Sequence, residues 1–268
     1  MYYAGWGIVG AMTEVDLRAV SAMRSRELYL DLLVRCISNV IYQDPSYAIT
    51  GGRFDEETRR VGRDWPSLAH SMAGELRLRN LAELTQCMLD EGIPGDLIET
   101  GVWRGGCCIL MKGVLAANGD TSRRVYVADS FDGLPPPDAA AYPVDAGLDL
   151  SIHRELAVSE AEVRRNFSLY GLLDDRVVTV PGFFRDTLPK LDVEELALMR
   201  LDGDLYESTI LALAALYPRL SPGGIVIVDD YGCLAQCARA VDDYRATHGI
   251  EEPIVAIDWT GVYWRKAR

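Results

Sequence analysis

The sequence predicts an α/β fold, a doubly wound and mostly parallel sheet with helices on both faces. Three observations carry that expectation. The first is an apolar run that reads into Arg200-Leu201-Asp202-Gly203-Asp204-Leu205-Tyr206. The second is Ile225-Val226-Ile227-Val228-Asp229-Asp230-Tyr231. Each reads as a buried strand that stops on carboxylates, and the helical segment between them makes the strands parallel neighbours. Adjacent strands sit about 4.8 Å apart, so Asp202 and Asp229 should lie side by side at the carboxyl edge, where open α/β sheets bind ligands. The third is the strand Asp96-Leu97-Ile98-Glu99-Thr100. It runs through a Glu-x-Gly-x-x-x-Gly turn into a helix from Cys107 to about Asn118. That turn differs from the dinucleotide fingerprint, whose glycines serve a pyrophosphate.

The other elements follow in chain order. Tyr29, Leu32, Leu33, Cys36 and Val40 have the spacing of a helix with one buried face. The polar stretch from Tyr42 to Asp64 holds Gly51-Gly52 and the charged run Asp55-Glu56-Glu57-Thr58-Arg59-Arg60, and is expected to be a solvated, mobile loop. A second long helix is predicted from Ser67 to Glu91, with His70 packing or capping near its start. After the glycine turn, Val125–Asp129 is the next strand, ending on an acid about 30 residues after Glu99, where a ribose diol could be gripped. Asp129 to Val158 is aperiodic, contains Gly133-Leu134-Pro135-Pro136-Pro137 and His153, and is expected to be a lid over the site. Val177–Val180 is a third strand, and Pro181-Gly182-Phe183-Phe184 after it offers small and flat residues to border an adenine ring. Ile210, Leu213, Leu216 and Tyr217 stripe a helix toward the sheet. Ile254 to Ile257 and Gly261 to Trp264 read as an antiparallel hairpin.

Half of the 268 residues are apolar, enough for a sizeable core, and one domain is expected. The net charge of −13 argues against nucleic acid and anionic membranes as partners. Six cysteines form no C-x-x-C pair and are expected to be buried reduced thiols. No basic-plus-apolar leader is visible and no apolar run approaches the roughly 20 residues of a membrane span, so a cytoplasmic location is expected.

Carboxylates converging at one sheet edge repel unless a cation holds them, and an all-oxygen set suits a hard divalent ion. Asp202-Gly203-Asp204 is also a D-x-D motif of the kind that holds a metal on a nucleotide sugar. That reading leaves Glu99 to Gly106 and Asp229-Asp230 without a role. Neither G-x-G-x-x-G nor Tyr-x-x-x-Lys occurs, which weakens a nicotinamide oxidoreductase.

Taken together the motifs resemble the macrocin O-methyltransferase family. The matching stretches include Tyr29-Leu30-Asp31-Leu32-Leu33, Asp64-Trp65-Pro66 with Ala69-His70-Ser71-Met72, and Leu97 to Gly106. Further on they are Ala128-Asp129-Ser130-Phe131, Arg200 to Thr209, Val228-Asp229-Asp230-Tyr231 and Trp259-Thr260-Gly261-Val262-Tyr263-Trp264. The resemblance runs from about Arg26 to the C-terminus and leaves residues 1–25 as an unassigned extension. It implies a Rossmann-like class I methyltransferase sheet of seven strands in the order 3-2-1-4-5-7-6, with the last pair antiparallel. Residues 26–94 would be a helical cap and 95–268 the core.

It also implies S-adenosylmethionine and magnesium as cofactors, and methylation of a deoxysugar hydroxyl on a macrolide, an aminocoumarin or a similar glycoside. A catechol-like acceptor is the alternative. Asp202, Asp229 and Asp230 are expected to hold the metal. Ser71, Met72, Glu99, Gly101, Arg104, Asp129, Ser130, Gly182, Phe183 and Asp202 are expected to bind the cofactor. Asp204 is the first choice of base and His153 the second. A homo-oligomer is expected.

Overall fold

The computed structural model describes residues 14–268, with side chains from residue 23. Of the 1–25 extension, residues 1–13 lie outside the described residues, and the remainder opens helix α1 (Glu14–Ile37). Then come α2 (Glu56–Arg60), α3 (Gly74–Asp90), β1 (Asp96–Thr100), α4 (Gly106–Ala117) and β2 (Val125–Asp129). They are followed by α5 (Glu160–Leu169), β3 (Val177–Pro181), α6 (Phe184–Thr187), β4 (Leu196–Leu201) and α7 (Tyr206–Leu216). The chain closes with β5 (Leu220–Val228), α8 (Ala235–His248), β6 (Val255–Ala256) and β7 (Val262–Arg265). The seven strands form one sheet in the order β3-β2-β1-β4-β5-β7-β6, parallel except for β7, which runs antiparallel to β5 and β6. This is the expected order with its reversed last pair.

Because successive strand residues face opposite ways, each strand feeds two cores. In β1, Leu97 joins the layer built with α1, α3, α4 and α5, while Ile98 joins the layer under α7 and α8. Helix α4 is buried from Gly106 to Leu115. A helix apolar all round has to be enclosed, and here it lies between the sheet and the pair α1 and α3.

Three local expectations fail, each because a distant partner decides. On α1 the buried stripe is Leu33, Val34 and Ile37 with Leu30 partly covered, whereas Leu32 stays 54% exposed and Tyr29 is also exposed. The helix carries two overlapping apolar stripes, and α4 covers the one that Leu33 presents to Gly113.

The second helix starts at Gly74, not Ser67. The backbone before it is already committed. Leu68 N donates to Asp44 at 2.6 Å, the carbonyls of Pro66 and Ala69 accept from Arg104 at 3.1 and 2.9 Å, and the His70 carbonyl accepts from Gly106 N at 2.9 Å.

The stretch 42–64 is not a solvated loop throughout. Arg59, inside its charged run, is 1% exposed and pairs with Asp44 and Asp64, both at 2.8 Å, while also donating to the Ser38 carbonyl at 2.9 Å. Removing one partner of such a buried set costs about 3–5 kcal/mol, so this segment is a fixed wall.

The 129–158 connection contains two short 3-10 turns, Pro143–Asp145 and Arg154–Leu156, and the Trp103 indole donates to the Glu155 carbonyl at 2.9 Å. All six cysteines are free, and Cys107, Cys108 and Cys237 are buried; contrary to expectation Cys233 is exposed. Among the described residues no helix is long and apolar enough to cross a membrane.

Candidate active site

The strand ends are level. Beyond the ladders, Gly101 N donates to Ala128 O, Gly182 N to Asp129 O, Asp202 N to Thr100 O and Asp229 N to Leu201 O, each at 2.9 Å. The parallel register therefore sets Gly101, Asp129, Asp202 and Asp229 along one edge. Gly101 has φ +79°, and a Cβ there would sit 1.7 Å from the Asp202 carbonyl oxygen. Only glycine lets the β1 turn close against the end of β4. Gly106 has a second reason: a Cβ would lie 2.4 Å from the His70 carbonyl oxygen, so the start of α4 tucks under the 70–71 segment.

A cavity of ≈ 690 Å³ opens on this edge, within the usual size for a small-molecule site. Gly101, Asp129, Ser130, Met72, Phe183 and Asp202 line it, as do Asp204, Asp229 and Asp230. The other expected cofactor residues stand behind it. Glu99 is 1% exposed, accepting from Cys108 Sγ at 2.8 Å and from Arg200. Ser71 Oγ accepts from Ala73 N at 3.1 Å and touches Cys107 Sγ. Arg104 spends its guanidinium on the Pro66 and Ala69 carbonyls and on the Tyr47 hydroxyl. Gly182 tucks against Thr187. The His153 ring stands at 88° to that of Trp65 with centroids 5.2 Å apart, and His153 is not among the residues that line the cavity.

Asp129 Oδ2 accepts from Val102 N and Oδ1 from Phe131 N, both at 2.8 Å. Burial pushes its carboxyl up, and those amides pull it back. The carboxylate thus links the glycine turn to the root of the 129–158 segment while facing the cavity.

The acid cluster differs from the expected set. Oxygens of Asp202, Asp204 and Asp230 lie within 4.8 Å of one another. Asp229 turns instead to two arginines, pairing with Arg77 through Oδ2 and with Arg200 through Oδ1. Asp204 takes part because its backbone is left-handed, φ +59°, which swings its side chain toward the cavity. Burial, then the charges of Asp202 and Asp229, push Asp204 up to about 8. Asp230 is raised well above the carboxylate range by burial and by Asp204 and Asp202. Its Oδ2 is buried without a hydrogen-bond partner. Three acids so close, one buried and two half-buried, call for a cation or for protons, and the all-oxygen donor set fits a hard divalent ion.

Arg200 and Arg77 had no place among the expected site residues. Arg200, 2% exposed in β4, contacts Glu99, Asp202 at 2.8 Å and Asp229. Arg77 reaches from α3 to Asp229, to Asp258 at 3.1 Å and to the Gly62 carbonyl at 3.1 Å. An arginine within Leu196-Ala197-Leu198-Met199-Arg200-Leu201 is a readable signal, since a charge in a buried strand needs partners. For Arg77, in an ordinary amphipathic helix, no local signal exists.

A family model described as macrocin-O-methyltransferase (TylF) matches residues 24–266. Among characterised relatives, 8-demethyl-8-(2,3-dimethoxy-alpha-L-rhamnosyl)-tetracenomycin-C 4'-O-methyltransferase of Streptomyces olivaceus is 53% identical, covering 90% of this chain and 93% of that protein. Mycinamicin III 3''-O-methyltransferase of Micromonospora griseorubida is 50% identical over 90% of this chain and 97% of its own. Demethyldecarbamoylnovobiocin O-methyltransferase of Streptomyces niveus is 47% identical over 90% and 94%. The solved structure of the O-methyltransferase NovP superposes with a TM-score of 0.87 at 48% identity, covering 91% of this chain and 100% of that one.

Proposed function

The chain belongs to the macrocin O-methyltransferase family, and from that premise we propose that it methylates a deoxysugar hydroxyl of a glycosylated natural product. The acceptor class is a macrolide, an aminocoumarin or a similar antibiotic glycoside, the donor is S-adenosylmethionine, and a magnesium ion takes part. The observation that carries the reading is the cluster of Asp202, Asp204 and Asp230 in a cavity that Trp65, Trp103, Phe183, Phe184 and Trp259 also line. S-adenosylmethionine supplies a methyl group on a sulfonium, whose departure needs no proton. A divalent ion held by the cluster would supply positive charge that lowers the pKa of the acceptor hydroxyl.

The chain's own residues then have three tasks. Asp202 and Asp230 would hold the ion, joined by Asp229 through the carboxylate lone pairs that its two arginine contacts leave free. Asp204, in the same cluster, is within reach of a hydroxyl held there and would take its proton, the charge of a bound cation countering the burial and the Asp202 and Asp229 charges that otherwise favour its protonated form. Gly101, Asp129, Ser130, Met72 and Phe183 surround the donor, with Asp129 on the ribose hydroxyls. Trp65, Trp103, Phe184 and Trp259 give the acceptor flat apolar walls that keep water out and hold the nucleophile in line.

The test is methyl transfer to a panel of deoxysugar glycosides, followed by mass spectrometry, with the metal present or removed by EDTA. The expected result is turnover that EDTA abolishes and magnesium restores. Asp230→Asn should also abolish turnover while S-adenosylhomocysteine affinity stays within about threefold. Full turnover in excess EDTA overturns the metal's role, and exclusive methylation of catechols overturns the sugar.

A further inference from the structure

Helix α7 begins without a cap of its own. The residue before it is Leu205, which has no side-chain acceptor. The nearest polar residue upstream, Asp204, is left-handed and directs its carboxylate to the acid cluster. The first amides of a helix need acceptors, and an acid there also meets the positive end of the helix dipole. Both needs are met from a distance. Asp145 Oδ1 accepts from Tyr206 N at 2.7 Å, and Oδ2 accepts from Glu207 N at 3.0 Å. Asp145 is 0% exposed and comes from the middle of the 129–158 segment, 61 residues earlier in the chain than Tyr206. The ring of Tyr142, three residues before it, packs on that of Tyr206 at 6.1 Å.

We propose that Asp145 is a positioning residue that couples the seating of the 129–158 segment to the orientation of Asp204. The turn that carries Asp204 is tight. Leu205 N donates to Gly203 O at 2.6 Å, and Gly203 is pressed against Ser208 and Phe184. Left-handed backbone costs most residues other than glycine about 1–2 kcal/mol, and aspartate less, so holding both flanks favours this geometry for Asp204. On the upstream flank Asp202 N is tied to Thr100 O. On the downstream flank the hold is the first turn of α7, whose amides rely on Asp145. When the segment is seated, α7 is capped, the turn is fixed and Asp204 faces the acids. When it lifts, α7 loses its cap and the turn loses one flank. Proton abstraction is thereby tied to a closed site.

The inference rests on Asp204 as proton acceptor, and the experiment separates the two. Asp145→Ala should lower kcat at least tenfold while KM for S-adenosylmethionine and the Kd of S-adenosylhomocysteine stay within threefold. Asp145→Asn keeps one acceptor oxygen for one of the two amides but turns its amino group toward the other, so its kcat should lie between those of the wild type and the Ala variant. Hydrogen exchange provides the arm independent of turnover. In Asp145→Ala the amides of Tyr206 and Glu207 should exchange at least tenfold faster, with β4 and β5 unchanged. Unaltered exchange overturns the coupling even if no glycoside is turned over by the wild type. So does faster exchange with unaltered kcat, an Asn variant as slow as the Ala variant, or a parallel loss of kcat, cofactor affinity and sheet protection. Wild-type turnover in Asp204→Asn overturns Asp204 as base and the coupling with it, whatever the exchange of α7.

Discussion

Replacing Arg200 with methionine removes a cation that touches Glu99, Asp202 and Asp229 together. Methionine fills much of the same volume, so the change is chiefly one of charge. Arg200 and Glu99 are both 2% exposed at their side chains, and solvent cannot compensate. Leaving partners of a buried ion pair uncompensated costs about 3–5 kcal/mol, a large share of the roughly 5–15 kcal/mol by which domains are stable. At about 2–4 °C per kcal/mol for a chain of this order of size, Tm should fall by roughly 6–20 °C.

The dependence on pH has a definite sign. Burial raises Glu99 from the ordinary 4.5 to about 7, with Arg200 holding it down. The folded chain therefore keeps a proton there that the unfolded chain loses. The stability this group contributes is present below about 4.5 and is lost as pH rises through about 7. Without Arg200 the upper end moves higher, and the deficit of the variant should be larger at pH 8 than at pH 6. Thermal unfolding followed by circular dichroism in EDTA measures both. Arg60→Met is the control, because its pair with Glu57 is exposed and is expected to change stability by less than about 1 kcal/mol. A Tm loss below about 2 °C for Arg200→Met, or a deficit that grows as pH falls, would refute the reasoning.

Two further predictions come from the cavity floor. Gly101→Ala puts a methyl 1.7 Å from the Asp202 carbonyl oxygen at φ +79°, and should yield little folded protein; a Tm within about 2 °C of wild type would contradict the close approach. Asp129→Ala removes the acceptor of the Val102 and Phe131 amides. It should weaken S-adenosylhomocysteine binding by about 1–3 kcal/mol in calorimetry, and unchanged affinity would mean the ribose lies elsewhere.

The sheet was legible because its signals are local. Apolar runs of strand length ending on Asp129, Asp202 and Asp229, with helix patterns between, fix the number, direction and level of the strands. The acids at the edge were legible for the same reason. Which of them share a cluster was not, because Asp229 is claimed by Arg77 from α3, a helix 152 residues away in sequence. Arg59 shows the same limit. Inside Asp55-Glu56-Glu57-Thr58-Arg59-Arg60 it looks like one more surface charge, yet Asp44, Asp64 and Ser38 enclose it. The buried stripe on α1 lies one position from the expected one because Leu28, Tyr29 and Leu32 form an apolar stripe of their own beside the residues α4 covers. Composition states what can be buried; the partner decides what is.

The walls of the cavity have a separate origin from its floor. Asp129, Asp202 and Asp229 stand at strand ends and are pinned by ladder hydrogen bonds. Trp65, Leu134, Leu150 and Trp259 come from three connections between elements, and Phe184 from the first residue of α6 just after β3. A change of side chain in any one connection reshapes the space for a glycoside without disturbing the sheet or the acids. Such a scaffold can take different acceptors through changes in its loops while the chemistry at the sheet edge is left intact, and each connection is a separate dial for redirecting it in the laboratory.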